Sequence, residues 1–136
     1  MFGKKPSKPQ NRIDSLIGAG TRIEGNISFS GGLRVDGEIQ GNVTAAADQS
    51  STLVISEHAR IEGEIRVSHL VANGTIVGPV YATDSLELQA NSRLRGDVHY
   101  NTLEMHLGAV VDGRLAHGSG ETKTVELKLA STKSAN

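Results

Sequence analysis

The chain reads as all-β, a three-sided β-helix of about six coils with a tail at each end. Three observations predict this. First, an apolar-x-Gly-x-apolar motif occurs at Ile23–Ile27, Ile39–Val43, Ile61–Ile65, Ile76–Val80, Leu94–Val98 and Val111–Leu115, with an overlapping near-copy at Val35–Ile39. Second, the apolar residues around each motif fall at even offsets, which places them on one face of extended chain, whereas a helix spaces them by three and four. Third, each unit is too short to bury its own apolar face and must stack on a neighbour.

Residues 1–14 form a basic N-terminal tail in which Lys4, Lys5, Lys8 and Arg12 stand against Asp14. Two of the three prolines lie here, and after Phe2 there is little apolar content, so this segment reads as disordered. The β-helix domain follows over 15–117. The last motif residues of successive units are 16, 22, 15, 18 and 17 positions apart. That length allows three short strands joined by three bends. An apolar pair precedes each motif. Three units read as long, with offsets 0, 2, 8 and 12: Leu53/Ile55 before Ile61/Ile65, Leu86/Leu88 before Leu94/Val98, and Leu103/Met105 before Val111/Leu115. Three read as short, with offsets 0, 2, 6 and 10: Ile17/Ala19, Leu33/Val35 and Leu70/Ala72 before their motifs. The 22-residue step is assigned to a polar loop from Thr44 to Thr52. Ile, Val and Leu suit strands, while Gly, Asn, Asp and Ser suit the bends. The motif glycines mark bends or places where stacked backbone leaves no room for a Cβ. Residues 118–136 read as a polar, flexible C-terminal tail, in which the alternation of Val125, Leu127 and Leu129 with Glu126 and Lys128 leaves a short strand on the rod's end or edge as the alternative.

Composition narrows the function. The chain has 136 residues and no Cys, so neither a disulfide framework nor a thiolate metal site is available. No apolar run is long enough to span a bilayer, and the N-terminus lacks the apolar stretch of a signal peptide, giving a cytoplasmic expectation. Residues 15–120 carry seven Arg against twelve Asp and Glu, an acidic body that argues against nucleic acid. The five histidines, His58, His69, His99, His106 and His117, read as scattered and solvent-exposed. His99 and His117 are 18 residues apart, close to one coil, yet zinc wants three or four converging ligands. Gly18-Ala19-Gly20 has no helix after it, so it is no nucleotide fingerprint. The carboxylate pairs Asp36/Glu38 and Glu62/Glu64 share an outward face with Arg22, Arg34, Arg60, Arg66, Arg93, Arg95 and Arg114. That face reads as solvated surface for bundling or partner docking. No catalytic residue, cofactor, metal or nucleotide is expected.

The stretch Thr21–Val43, TRIEGNISFSGGLRVDGEIQGNV, followed by further motif coils, resembles the bactofilins over roughly residues 17–117. The resemblance implies a right-handed β-helix and a bacterial cytoskeletal protein that polymerises without nucleotide into non-polar filaments. It also implies a scaffold for cell-wall and morphogenesis proteins on the inner face of the cytoplasmic membrane. Met1-Phe2-Gly3-Lys4-Lys5 is similar to the family's membrane-binding peptide, with Met1, Phe2, Lys4 and Lys5 as contacts. The family often carries a Phe in its terminal core; here the last coil has none, and the only Phe in the body is Phe29, near the other end.

The ends point the same way. A solenoid needs polar caps, because each end exposes unpaired strands and an open core. No cap is evident, so the polymer interface is placed at Ile17, Ile23, Ile27 and Phe29 on one end and Met105, Leu107, Val111 and Leu115 on the other. The alternatives are a trimeric left-handed β-helix enzyme of hexapeptide type, which demands apolar residues at multiples of six, and a non-polymerising β-solenoid binding module.

Overall fold

The computed structural model describes residues 12–118. All their regular structure is strand, in fifteen segments that wind as six coils of a three-sided solenoid. Coil 1 consists of β1 (Ser15–Ile17), β2 (Arg22–Glu24) and β3 (Ile27–Phe29); coil 2 of β4 (Gly32–Val35), β5 (Glu38–Gln40) and β6 (Val43–Ala45). Coil 3 begins with β7 (Thr52–Ile55) and β8 (Arg60–Glu62). From there β9 (Ile65–Ala72), β11 (Val80–Leu88) and β13 (Val98–Met105) each pass the third corner unbroken and serve two coils. The second face of the later coils is β10 (Thr75–Val77), β12 (Arg93–Arg95) and β14 (Val110–Asp112), and β15 (Leu115–His117) closes coil 6. Every pairing is parallel and joins one coil to the next.

The register turns the even offsets into rows. Ile23, Ile39, Ile61, Ile76, Leu94 and Val111 stack in order on the second face. Ile27, Val43, Ile65, Val80, Val98 and Leu115 stack on the third. Leu33, Leu53, Leu70, Leu86 and Leu103 make a leucine row on the first. These rows are the core, and a side chain of this size buried in full contributes about 1.5–3 kcal/mol.

Coil 1 departs from the sequence reading. Ser15 and Ile17, not Ile17 and Ala19, stand beside Leu33 and Val35. Its offsets are therefore those of a long unit. The cause is the corner: Thr21 N–H donates to the Gly18 carbonyl, closing a four-residue turn. The same i to i+3 bond closes the corners of the other long units at Ser56/Ala59, Gln89/Ser92 and His106/Ala109. Short corners instead use Asp36-Gly37 and Asn73-Gly74, where a Cβ on the glycine would overlap carbonyl oxygens of the coil before. The insertion is also shorter than expected: Thr44 lies in β6 and Thr52 in β7, leaving 46–51 as the loop.

The motif glycines stack at the second corner. A Cβ on Gly41, Gly63, Gly78, Gly96 or Gly113 would come within 3 Å of the carbonyl oxygen of its counterpart one coil earlier. Gly78 and Gly96 also hold φ of 140° and 127°, a region that L-residues avoid. Gly25, in the first coil, has nothing within 4 Å.

Candidate assembly interface

Position along the rod decides exposure. Among the described residues every buried apolar residue, from Leu33 to Tyr100, belongs to coils 2–5. In the row on the second face, Ile39, Ile61 and Ile76 are 0% exposed, while Ile23 and Val111 at its two ends are only partly buried. The same holds for Ile17, Ile27 and Phe29 at one end and Leu103, Ala109 and Leu115 at the other. Met105 is 44% exposed, though its row neighbour Leu88 is 0%. Leu16, Ile13 and Val110 add exposed apolar surface beside these rows. Leu107 is placed differently: it sits in the His106–Ala109 corner, 94% exposed, outside the inward rows.

Strand edges are open at the same two ends. Among the described residues β1, β2 and β3 pair only with coil 2, and β14, β15 and the Thr102–Met105 half of β13 only with coil 5. Among the described residues each end therefore presents strand edges with no neighbouring strand around an apolar centre, which is the template for another strand layer. Met1, Phe2, Lys4 and Lys5 lie outside the described residues.

The flanks of the rod carry little chemistry. Strand-adjacent ion pairs join Arg22 to Glu24 at 3.3 Å, Arg34 to Asp36 at 2.9 Å, Arg60 to Glu62 at 2.7 Å, and Arg66 to Glu64. Exposed pairs of this kind stabilise by about 0–1 kcal/mol. On the third face the Arg66 guanidinium lies 4.1 Å over the Tyr81 ring, which stacks on His99 at 4.6 Å. These contacts tie coils 3, 4 and 5 together from outside.

The histidines do not all behave as the sequence led us to expect. His69 is 2% exposed: its Nδ1 shares a 2.7 Å hydrogen bond with Ser85 Oγ, and its Nε2 lies 3.6 Å from Asp84 with no hydrogen bond. Burial lowers its pKa, against the opposing pull of Asp84. His99 and His117 do not share a row, because His99 pairs with Ala116 and Tyr100 with His117. His106 Nε2 contacts Glu87 at 3.0 Å and Glu104 at 3.3 Å, the one trio among the described residues whose ligand atoms gather within 4.8 Å. Two carboxylates and one imidazole on an exposed face fall short of a closed zinc site.

No helix among the described residues is long and apolar enough to cross a membrane. Residues 15–116 match the family model described as "Bactofilin: Polymer-forming cytoskeletal". The chain is similar to Bactofilin BacP of Myxococcus xanthus (strain DK1622), 27% identical over 118 residues, covering 87% of this chain and 48% of that protein. It is also similar to Bactofilin BacO of the same organism, 24% identical over 102 residues, covering 75% of this chain and 78% of that one. The chain thus spans about half the length of BacP. No solved structure gives a significant match.

Proposed function

Since this chain belongs to the bactofilin family of polymer-forming cytoskeletal proteins, we propose that it assembles end to end into filaments by continuing its own β-helix. One observation carries this reading. The rows that are sealed in coils 2–5 are left half-open in coils 1 and 6, and no polar residue covers them among the described residues. A second copy stacked on either end supplies the missing layer, burying Ile17, Ile23, Ile27 and Phe29 at one interface and Met105, Val111 and Leu115 at the other. Leu107 contributes at the rim. Each aliphatic side chain sealed in this way adds about 1.5–3 kcal/mol before the cost of association. Like-with-like contacts at both ends are isologous and give a filament without polarity. Nothing in this scheme uses a nucleotide, metal or catalytic group.

The membrane belongs to the same proposal. Met1 and Phe2 enter the interface of the cytoplasmic leaflet while Lys4 and Lys5 meet anionic headgroups, each basic residue contributing about 1 kcal/mol. One tail binds weakly, and a filament displaying many binds by avidity. The filament then serves as a scaffold for cell-wall and cell-shape proteins on the inner membrane. Negative-stain microscopy of the purified chain without nucleotide tests assembly, and co-sedimentation with anionic liposomes tests attachment. Narrow filaments are expected, with sedimentation lost in Phe2→Glu. Uniform small particles at all concentrations would overturn the first claim, and unchanged sedimentation of Phe2→Glu the second.

A further inference from the structure

On the outward side of the first face, beside the open end of coil 6, a groove carries carboxylates without arginine. Asp84, Glu87 and Glu104 line it, and among the described residues no Lys or Arg does. Elsewhere along the rod arginines hold Glu24, Asp36, Glu62 and Glu64. Here imidazoles take their place. The parallel register stacks Glu104 on Glu87, and even spacing along β13 puts His106 on the same outward side. His106 Nε2 lies 3.0 Å from Glu87 Oε2 and 3.3 Å from Glu104 Oε2. His69 Nε2 lies 3.6 Å from Asp84 Oδ2. Neutral imidazole has a nitrogen lone pair that guanidinium lacks, so this pairing can hold a metal ion where an arginine pair cannot.

We propose that Glu87, Glu104 and His106 bind one divalent transition-metal ion of the zinc class, as an open site with three protein ligands. Their ligand atoms lie within 4.8 Å of one another. Bonds of about 2.0–2.2 Å set tetrahedral ligands about 3.3–3.6 Å apart, so small side-chain rotations close the set around an ion. One imidazole nitrogen with two carboxylate oxygens suits Zn2+, whereas Mg2+ and Ca2+ take oxygen ligands. Glu87 Oε2 also accepts from Gln89 Nε2 at 3.2 Å, which orients the carboxylate. His69 points to a cation independently. It is 2% exposed, its Nδ1 is engaged by Ser85 Oγ at 2.7 Å, and its Nε2 meets the same groove beside Asp84 without a hydrogen bond. A buried nitrogen left unpaired is costly, and a cation in the groove, with its bound water, satisfies both it and Asp84. The ion also removes the repulsion between the stacked Glu87 and Glu104. Because Glu104 stands on the last strand of the first face, that relief favours stacking of a second copy. This consequence rests on the filament reading above; the binding does not.

Isothermal titration calorimetry of the untagged full-length chain with Zn2+ reads the site directly. One ion per chain is expected, with affinity weakened at least about tenfold by Glu104→Gln or by His106→Gln. Both side chains are exposed, so the fold is not at stake. His58→Gln is the control: it removes an exposed imidazole 3.6 Å from Glu57 that belongs to no such trio, and is expected to leave binding unchanged. No binding, equal weakening by His58→Gln, or displacement of Zn2+ by a large excess of Mg2+ would overturn the site, the last by reducing the groove to a diffuse acidic surface. These readouts do not require filaments. In the second arm, Zn2+ is expected to lower the critical concentration for pelleting about threefold in the parent and not in His106→Gln, which keeps both carboxylates. An unchanged value in the parent, or an equal drop in His106→Gln, with binding to the parent intact, would overturn the effect on assembly alone.

Discussion

Ile61 and Ile23 stand in the same row, on the same face, in the same motif, yet the first is wholly buried and the second is not. The difference lies in the neighbours: Ile61 has a coil on each side, Ile23 on one only. Exposure here is a property of position along the rod, not of residue chemistry. An end of this solenoid is an interior coil missing its next layer, and in the proposed filament a second copy restores that layer. Substituting matched positions in the middle and at the end therefore separates folding from assembly.

The largest contrast comes from a charge in that row. Ile61→Asp places an unpaired carboxylate in the core and is expected to destabilise by about 4 kcal/mol or more, unfolding the rod. Ile23→Asp keeps access to water from the open end and is expected to cost about 1–2 kcal/mol. Thermal melts by circular dichroism check this, and equal losses would break the distinction between middle and end. The glycine column sharpens it. Gly25→Ala meets only the strain of positive φ, about 1 kcal/mol, because nothing lies within 4 Å of the new methyl. Gly96→Ala adds an overlap with the Gly78 carbonyl and is expected to cost about 2–4 kcal/mol in denaturant titration.

The smallest effect concerns pH. His69 is buried and its folded pKa lies below the ordinary value, so the unfolded chain binds the proton first as pH falls. Its contribution to stability is complete above about pH 6.5 and declines as pH drops below that value, by no more than about 1.4 kcal/mol per pH unit. His69→Gln is expected to flatten this slope between about pH 6.5 and 5 in pH-dependent melts. An unchanged slope would assign the acid sensitivity to other groups.

Much of this was legible in the sequence because the solenoid repeats its own constraints. Rows at even offsets and a glycine at each second corner leave a periodic trace, and the stacked register follows from it. Coil 1 was misread because Ala19 imitates a row member while Ser15, the true one, is polar. The Gly18–Thr21 turn decides between them, and a turn has no periodicity of its own. Thr44 and Thr52 looked like loop residues, yet the first points outward from a strand and the second is buried in one. His69 gave no signal either. It is buried together with Leu70 at the third corner, where β11 shifts register between Ala82 and Ser85 and strict alternation fails. The Glu87–Glu104–His106 cluster spans coils, so only the register brings it together. Of the residues read as interface, the inward ones occupy the first and last positions of the stacked rows, whereas Leu107 lies on a corner because even spacing from Met105 carries it there.

The measurement that bears most directly on the claim that an end is an unfinished middle is sedimentation and negative-stain microscopy of Val111→Arg beside the unaltered chain, without nucleotide, with circular dichroism on both. Val111→Arg is expected to keep its β spectrum and melt within a few degrees of the parent, yet no longer pellet and show no particle longer than a pair joined at the other end. Long filaments of Val111→Arg would contradict it, because the last coil would then play no part in assembly.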